Sequence, residues 1–336
     1  MLKTVTIEEA VKVIRDAGIV GAGGAGFPTY VKYRKPTEIF IGNFTESEPG
    51  YFADKLLAKE RAKELAETFR WMRQTFGYKQ FIIAYKAKDE AYIPREYKEM
   101  AERGEITLKV VPPLYKMGDE KYLTPEVTGR EIPAGKIAPD VGVTMNNTET
   151  LWNMFKAFTR GEPTTTKFFQ MTGEVPAHDV FEAPLGAYVT DICEIAGYPP
   201  REKWEALKCV DGGPLLGDVI GDGTYAAWKD YGIVKTTNGL LFIQPEKFTG
   251  RGKHYPLKEY RKPERVVNIE GKIRRVKLAL KGRYGEAAVP VVKVGDHVKK
   301  GQVVAKDVPD KLSVPVHASI DGRVTEVTPT HVRIET

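Results

Sequence analysis

Five glycines fall within nine positions near the start of the chain, in the run GIVGAGGAG from Gly18 to Gly26. Because glycine has no side chain, the backbone N–H groups of such a loop can approach a bulky negative group closely. Glycine also adopts positive φ values, which let successive N–H groups point the same way. Lys32 supplies a cation six residues further on. The segment is typical of a loop that cradles a phosphate, and a glycine-rich linker is the alternative interpretation.

The surroundings of this loop exclude two common phosphate-binding motifs. It lacks the Gly-Lys-Ser/Thr ending of a Walker loop, and no apolar strand leads directly into it as in a Rossmann fingerprint. A helix is predicted before it instead, because Thr6 and Glu9 have the spacing of a capping box and Val11 and Ile14 lie on one helical face.

An acidic turn follows a strand-like stretch at residues 38–42. It reads NFTESEPG, from Asn43 to Gly50, and precedes a long amphipathic segment. Two carboxylates at positions i and i+2 beside a Pro-Gly turn suggest acceptors for ribose or ring N–H groups, opposite the phosphate donors. The alternative is a solvated turn that caps the next helix.

Composition limits the class of protein. A chain of 336 residues with 42% hydrophobic content is expected to form two or three domains. No 18-residue apolar run and no signal-peptide core occur, so we expect a soluble, cytoplasmic protein without direct membrane insertion. Cys193 and Cys209 are too few for a disulfide scaffold and lack metal-ligand spacing, so we expect no metal site and two packed thiols.

Together these motifs resemble the flavin- and NADH-binding core of the complex I flavoprotein subunit and its relative RnfC. The resemblance rests on GAGGAGFPTYVK and NFTESEPG, and it continues in YKMGDEKYLTPEVTGREIPAGKIAPDVGV (115–143), NNTETL (146–151) and KTTNG (235–239). These segments occur in the family's order. The resemblance implies FMN as cofactor and NADH as hydride donor.

The resemblance also implies roles for individual residues. Around the FMN phosphate it places Gly21, Gly23, Gly24 and Lys32, and along the ribityl chain or phosphate it places Asn146, Asn147 and Thr150. At the flavin and nicotinamide it places Asn43, Glu46, Phe27 as a stacking ring and Glu48 as the catalytic candidate, with Glu120 and Lys121 as further contacts. The family has Arg in the slot of Ala22 and Asp in the slot of Thr45, which puts the dinucleotide contact in question.

The order of elements predicts an α/β protein of several modules. Helices alternate with short apolar strands in residues 1–162, which we assign to the FMN- and NADH-binding α/β domain. Residues 163–245 read as strand, turn, strand and helix, the order of the family's soluble-ligand-binding β-grasp (SLBB) domain, with a return segment. A basic linker at 246–262 leads to an all-β domain at 263–336.

The C-terminal module resembles a lipoyl-type barrel-sandwich hybrid domain. The rhythm Gly-Asp-x-Val-x-x-Gly starts at Gly295, and Lys311 follows an Asp where lipoyl domains carry their attachment lysine. A barrel without a prosthetic group, as in RnfC-like proteins, is the favoured interpretation. Its C-terminal position resembles PduS, a cobalamin reductase relative.

Two departures from RnfC and PduS shape the functional expectation. Their ferredoxin-like insert needs two cysteine-rich runs, and no cysteine follows Cys209, so we expect no iron–sulfur cluster in this chain. Residues 247–283 instead hold 13 Lys and Arg against 3 Asp and Glu. This stretch is either a solvated face or a docking surface for an acidic electron-transfer partner, which we favour. Nucleic acid is not expected, because no aromatic stacking pattern or reader motif accompanies the charge.

Three functions stay open on these grounds. The first is an RnfC-like flavoprotein subunit that takes hydride from NADH onto FMN and passes electrons to a partner iron–sulfur protein or carrier. The second is a PduS-like corrinoid reductase, and the third is a non-catalytic ligand-binding or scaffold subunit of an electron-transfer complex. A homo-oligomer and a complex subunit both agree with the sequence.

Overall fold

The structure is a computed structural model that describes residues 2–247, 262, 263 and 265–336. The chain divides into two compact units. The first comprises Met1–Gly23, Phe27–Ser47 and Asp54–Pro163, and the second comprises Gly24–Gly26, Glu48–Ala53 and Thr164–Thr336. Most of the predicted basic linker, at 248–261, and residue 264 lie outside the described residues.

A four-stranded parallel sheet forms the centre of the first unit. Its strands are β1 (Ile39–Phe44), β2 (Gln80–Lys86), β3 (Thr107–Val111) and β4 (Val143–Asn147), in the spatial order β3-β2-β1-β4. The helices of this unit are α1 (Ile7–Asp16), α2 (Thr29–Lys32), α3 (Ala53–Glu60), α4 (Ala62–Phe76), α5 (Arg95–Glu102), α6 (Glu120–Thr128) and α7 (Thr148–Arg160). Short 3₁₀ helices lie at Ala87–Tyr92, Tyr115–Gly118 and Ala138–Val141.

Local sequence signals explain where these helices begin and end. The capping box at α1 is confirmed, since the Thr6 hydroxyl accepts from the Glu9 amide while the Glu9 carboxylate accepts from the Thr6 amide. The long amphipathic segment after the acidic turn forms two helices, α3 and α4, divided at Arg61. The α5 helix begins directly after Pro94, because the residue that precedes a proline disfavours helical geometry.

The strand register brings several polar residues to one edge of this sheet. Asn43 on β1 lies opposite Asn147 on β4, and the next strand, β2, ends at Lys86. All three lie at the carboxyl ends of parallel strands, which is the edge where open α/β sheets bind their ligands.

The second unit contains a six-stranded mixed sheet. Its strands lie in the order β10-β6-β5-β9-β7-β8, with β5 parallel to β9 and β6 parallel to β10. They are β5 (Thr166–Gly173), β6 (Val180–Pro184), β7 (Lys208–Asp211), β8 (Asp218–Val219), β9 (Gly239–Ile243) and β10 (Val266–Asn268). The helices are α8 (Val189–Ala196) and α9 (Tyr225–Trp228), with 3₁₀ turns at Arg201–Ala206, Pro245–Lys247 and Glu270–Lys272. The predicted strand, turn, strand and helix order appears as β5, β6 and α8.

Two small antiparallel sheets complete the second unit. One has the order β11-β17-β16-β13 and the other β12-β14-β15. Their strands are β11 (Arg275–Ala279), β12 (Val289–Pro290), β13 (His297–Val298), β14 (Val303–Lys306), β15 (Val316–His317), β16 (Gly322–Val327) and β17 (His331–Glu335). The α/β class with an all-β C-terminal part is thereby confirmed. The separate bounds 163–245, 246–262 and 263–336 stay a prediction, because β10 pairs with β6 in the mixed sheet.

One hydrophobic core runs through the mixed sheet and both antiparallel sheets. It includes Phe169 of β5, Phe242 of β9, Val276 of β11 and Ile334 of β17, all at most 2% exposed. The thiols of Cys193 and Cys209 are free and buried in this same core, and burial raises their pKa values. Both cysteines therefore pack as small apolar residues, as the sequence predicted.

Within the described ranges, no helix combines the length and the apolar character needed to cross a lipid bilayer.

Gly186, between β6 and α8, offers a test of the packing in the second unit. It has φ +80°, and a Cβ there would lie 2.8 Å from the Lys277 backbone, whereas Gly197 has φ +76° with nothing within 4 Å. We expect Gly197→Ala to cost about 1–2 kcal/mol from backbone conformation alone. Gly186→Ala should cost about 1–3 kcal/mol more, because the methyl group must displace backbone. Urea unfolding of both variants measures the difference, and equal losses would contradict the close approach.

Candidate nucleotide site

The glycine loop presents a row of backbone amides. The Gly21 amide donates to the Phe27 carbonyl at 2.8 Å, and the Ala22 amide donates to the Thr150 hydroxyl at 2.9 Å. Within the described residues, the amides of 23–26 donate no hydrogen bond. Gly24 and Gly26 have φ values of 102° and 70°, which glycine adopts readily. The loop is therefore held by its first two amides and leaves the next four available to an anion.

The start of α7 holds the first part of this loop. Asn147 is the N-cap, and its amide nitrogen donates to the Asp54 carboxylate at 3.0 and 3.2 Å. The Asn147 side-chain oxygen accepts from the amide and hydroxyl of Thr150, and that hydroxyl accepts from Ala22. A Cβ at Gly23 would lie 3.4 Å from the Asn147 side chain. The structure thus brings Gly23, Asn147 and Thr150 together at the start of α7.

Lys32 and Glu120 form a mostly buried ion pair. The ammonium of Lys32 donates to the Glu120 carboxylate at 3.0 Å and to the Met145 carbonyl at 3.1 Å, and its side chain is 14% exposed. Burial would raise the pKa of Glu120, but the charge and hydrogen bond of Lys32 outweigh this effect and lower it. Lys32 is therefore a fixed cation beside β4, with one of its three ammonium hydrogens left for a further acceptor.

Asn43 organises the acidic turn. Its side-chain oxygen accepts from the Thr45 amide at 3.0 Å, and its amide nitrogen donates to the Gly118 carbonyl at 3.0 Å. The Thr45 hydroxyl is fully buried and lies 2.6 Å from both the Asn43 oxygen and the Met117 carbonyl. A carboxylate in the slot of Thr45 would meet two acceptors there, so the threonine is matched to its own surroundings.

Lys86 is a site candidate that the sequence interpretation missed. It is 2% exposed, and its ammonium donates to the Ser47 hydroxyl at 2.7 Å. Burial and the neighbouring charges of Lys88 and Lys55 lower its pKa to about 8, although Asp89 and Glu46 oppose this change. The signal was available, because Lys86 ends an apolar strand at the carboxyl edge of the sheet.

Asn146 faces the protein interior. It is 4% exposed, and its amide contacts the Tyr33 hydroxyl and the Met154 sulfur. Burial raises the pKa of Tyr33 well above its usual value, so the phenol stays neutral. Successive side chains on a strand point to opposite faces, which separates Asn146 from Asn147. Its predicted contact with the ribityl chain stays a prediction.

The remaining predicted residues have diverse surroundings. Glu48 belongs to the second unit, where its carboxylate accepts from the Leu215 amide at 2.7 Å. Lys121 has an exposed side chain, while Phe27 and Glu46 are half-buried. Their roles at the flavin or nicotinamide stay predictions. In the described ranges, no group of three or more His, Cys, Asp or Glu side chains has an arrangement suited to a metal ion.

The lowered pKa of Lys86 predicts how stability depends on pH. Between about pH 8 and 10.5 the unfolded chain keeps a proton that the folded chain has released, so the free energy of unfolding should rise with pH in that window. Compared with Lys86→Met, the wild type should gain stability from pH 8 to 10.5 and show no such gain below pH 8. Urea unfolding across this range measures the gain, with Lys63→Met as the exposed control. A constant difference between wild type and Lys86→Met would contradict the assignment.

Comparison with known sequences identifies two domains. Residues 14–156 match the family described as the Nuo51 FMN-binding domain. Residues 248–336 match the family described as the RnfC barrel sandwich hybrid domain. The first match covers the sheet edge and loop described above, and the second confirms the barrel-sandwich prediction for the C-terminal part.

Comparison with known structures finds the same fold in a hydrogenase. Two crystal structures of an NAD⁺-reducing [NiFe]-hydrogenase are similar to this chain. The structure of the H₂-reduced state has a TM-score of 0.53, and that of the air-oxidised state has a TM-score of 0.54. Both are 21% identical and cover 70% and 71% of this chain, which spans 46% and 47% of the hydrogenase chain. At this identity the likeness establishes a shared fold. The chain thus combines a segment similar to the Nuo51 FMN-binding domain with a segment similar to the RnfC barrel sandwich hybrid domain.

Proposed function

We propose that this chain is a flavoprotein subunit that takes hydride from NADH onto FMN and passes electrons to a partner iron–sulfur protein or carrier. The observation that carries the proposal is the row of amides at 23–26, which have no acceptor in the described part of the chain. It lies in the segment that matches an FMN-binding family. Consecutive amides of this kind suit the phosphate of a flavin nucleotide.

The residues present fit FMN at the phosphate end. Gly23 supplies an amide beside Asn147 and Thr150, and Lys32 supplies a positive charge that Glu120 holds in place. The Asn43 side chain makes hydrogen bonds with Thr45 and Gly118, so its role is to shape the turn that carries Glu46. When bound, FMN supplies the acceptor for hydride, and the protein binds, orients and tunes it.

Lys86 adds an electrostatic element beneath the acidic turn. Its ammonium holds Ser47, whose hydroxyl donates to the Thr45 carbonyl at 2.8 Å. Below pH 8 a buried positive charge at this strand end favours negative charge on a nearby ligand, because the interior screens it less than water does. We assign Lys86 to the support of the flavin environment.

Electron transfer to a separate protein is the second part of the proposal. The sequence has two cysteines, and both are buried free thiols, so we propose that the iron–sulfur acceptor belongs to a partner. The basic stretch 247–283 is the proposed docking surface, and 248–261 and 264 lie outside the described residues. Lys272, Arg274 and Lys281 are exposed, while Arg275 forms a bidentate pair with Asp191 at 2.7 and 3.0 Å. Arg275 therefore supports the fold, and its exposed neighbours carry the docking charge.

The corrinoid reductase alternative stays a prediction. The open cavity beside α8 in the second unit has a volume of about 230 Å³ and is lined in part by Trp204, Tyr225 and Arg201. Pockets for drug-sized ligands measure roughly 300–1,000 Å³, and a corrinoid is larger than such ligands.

Reconstitution with FMN tests the proposed function. The pure protein should take up FMN, and anaerobic addition of NADH should bleach the flavin absorbance. Lys32→Met should lower the affinity for FMN about tenfold and leave that for riboflavin unchanged, because a charge-assisted phosphate contact is lost. Lys35→Met is the matched control, since Lys35 is exposed and pairs with Asp140. Failure to take up FMN, or a bound flavin that NADH leaves oxidised, would refute the proposal.

Charge reversal tests the docking surface. Lys272→Glu with Arg274→Glu should slow reduction of a [4Fe–4S] ferredoxin about tenfold at low salt, because long-range attraction is lost. The effect should shrink at high salt, and reduction of a small dye should be unaffected. Lys59→Glu with Lys63→Glu changes the net charge equally on the first unit and is the control. Equal ferredoxin rates in both double variants would assign docking to another surface.

A further inference from the structure

The turn before β9 is held rigidly by a buried carboxylate. The Thr237 side chain is fully buried, and its hydroxyl donates to Asp211 at 2.6 Å. The Tyr231 hydroxyl donates to the same carboxylate oxygen at 2.5 Å, and the Val234 amide donates to the Thr237 hydroxyl at 3.0 Å. Burial raises the pKa of Asp211, although these hydrogen bonds oppose it. Thr237 is buried, whereas its two neighbours, Thr236 and Asn238, are half-buried.

Those two neighbours lie against the glycine loop. All residues concerned belong to the second unit, which includes Gly24–Gly26. A Cβ at Gly26 would lie 2.7 Å from the Thr236 methyl group, and a Cβ at Gly24 would lie 3.3 Å from the Asn238 amide nitrogen. The backbone nitrogen and Cβ of Arg283 are 3.9 and 3.7 Å from the same position at Gly26. The glycines are therefore needed for this close approach as well as for their φ values.

Several hydrogen-bond donors near Gly24–Gly26 have no protein acceptor in the part of the chain that the structure describes. Within the described residues, neither the Thr236 hydroxyl nor the Asn238 carboxamide makes a side-chain hydrogen bond, and the amides of 24–26 donate none. Thr236 and Asn238 are half-buried, so they are partly shielded from water and still accessible. The Arg283 guanidinium pairs with Asp218, and the Arg283 side chain is 45% exposed.

We infer that Thr236, Asn238 and Arg283 bind an anion. Together with the amides of Gly24–Gly26 they form a site for a phosphate group. The several acceptor oxygens of a phosphate match the donors present here, which are a row of backbone amides, one hydroxyl, one carboxamide and one guanidinium. Arginine adds a planar pair of donors suited to the same group. The site takes its ligand identity from the proposed function, because a phosphate here would come from a nucleotide.

Two sources of that phosphate share this chemistry. One is the phosphate monoester of FMN, and the other is the pyrophosphate of the dinucleotide. When fully ionised, both groups present oxygens that act solely as hydrogen-bond acceptors. The donors of the site therefore do not distinguish the two groups. Paired ligands with and without the phosphate do distinguish them: FMN against riboflavin, and ADP-ribose against adenosine.

Titration calorimetry on the full chain tests the inference. Asn238→Asp keeps the side-chain size but puts a negative charge beside Gly24, and it should lower affinity for the phosphate-bearing ligand more than tenfold. Thr236→Val and Arg283→Gln should each lower it about three- to tenfold. Thr325→Val and Arg323→Gln replace exposed residues of β16 and are the matched controls. Affinities for riboflavin and adenosine should stay the same in all variants.

The pattern of losses identifies the source and separates this inference from the proposed function. A loss for FMN alone assigns the flavin phosphate, and a loss for ADP-ribose alone assigns the dinucleotide. If the wild type binds neither, inorganic pyrophosphate is the remaining probe. If the wild type binds pyrophosphate and Asn238→Asp binds it more weakly, the phosphate site is supported and the flavin function is refuted. Unchanged affinities for every phosphate ligand in Asn238→Asp, or a wild type that binds no such ligand including pyrophosphate, would overturn the inference. Thermal unfolding of each variant confirms that the fold is retained.

Discussion

The hydrogen bond from the Ala22 amide to the Thr150 hydroxyl is the contact on which the candidate site depends. It is buried and 2.9 Å long, and the same hydroxyl is held by Asn147, whose amide is held by Asp54. A loop rich in glycine loses much conformational entropy when it becomes ordered. By fixing the loop before any ligand arrives, this network lowers the ordering cost that binding would otherwise bear. The amides that follow Ala22 can then meet an anion in a preformed geometry.

Sequence reasoning succeeded where a local pattern determines the structure. The capping box of α1 and the alternation of helices with apolar strands were sufficient to predict the α/β unit. The resemblance assigned both Asn43 and Asn147 to one nucleotide, and the strand register places them opposite each other in the sheet. These features depend on residues close in sequence or on the direction of parallel strands, and both can be read from one chain.

Sequence reasoning was weaker where distant residues share a charge or a hydrogen bond. The pair Asn146-Asn147 looks uniform in sequence, yet the strand turns one side chain inward to Tyr33 and the other toward the loop. The role of Glu48 at the nicotinamide stays a prediction, and no sequence pattern indicated that its carboxylate accepts from the amide of Leu215, 167 residues away. Arg275 was counted among the docking charges before its pair with Asp191 was known. Such partners come together only through long-range topology, which no periodicity reveals.

The continuous core of the second unit has an evolutionary consequence. Domains that are shuffled between genes usually carry their own interiors and meet through modest, partly polar contacts. Here the apolar interior that contains Phe242 also contains Val276 and Ile334, and the backbone of Lys277 bonds directly to Gly186. Transplanting the barrel alone would expose much of that interior to water. Relocation of this barrel to another place in the chain would therefore require new apolar surfaces on both sides, and recombination at a simple linker would not be enough.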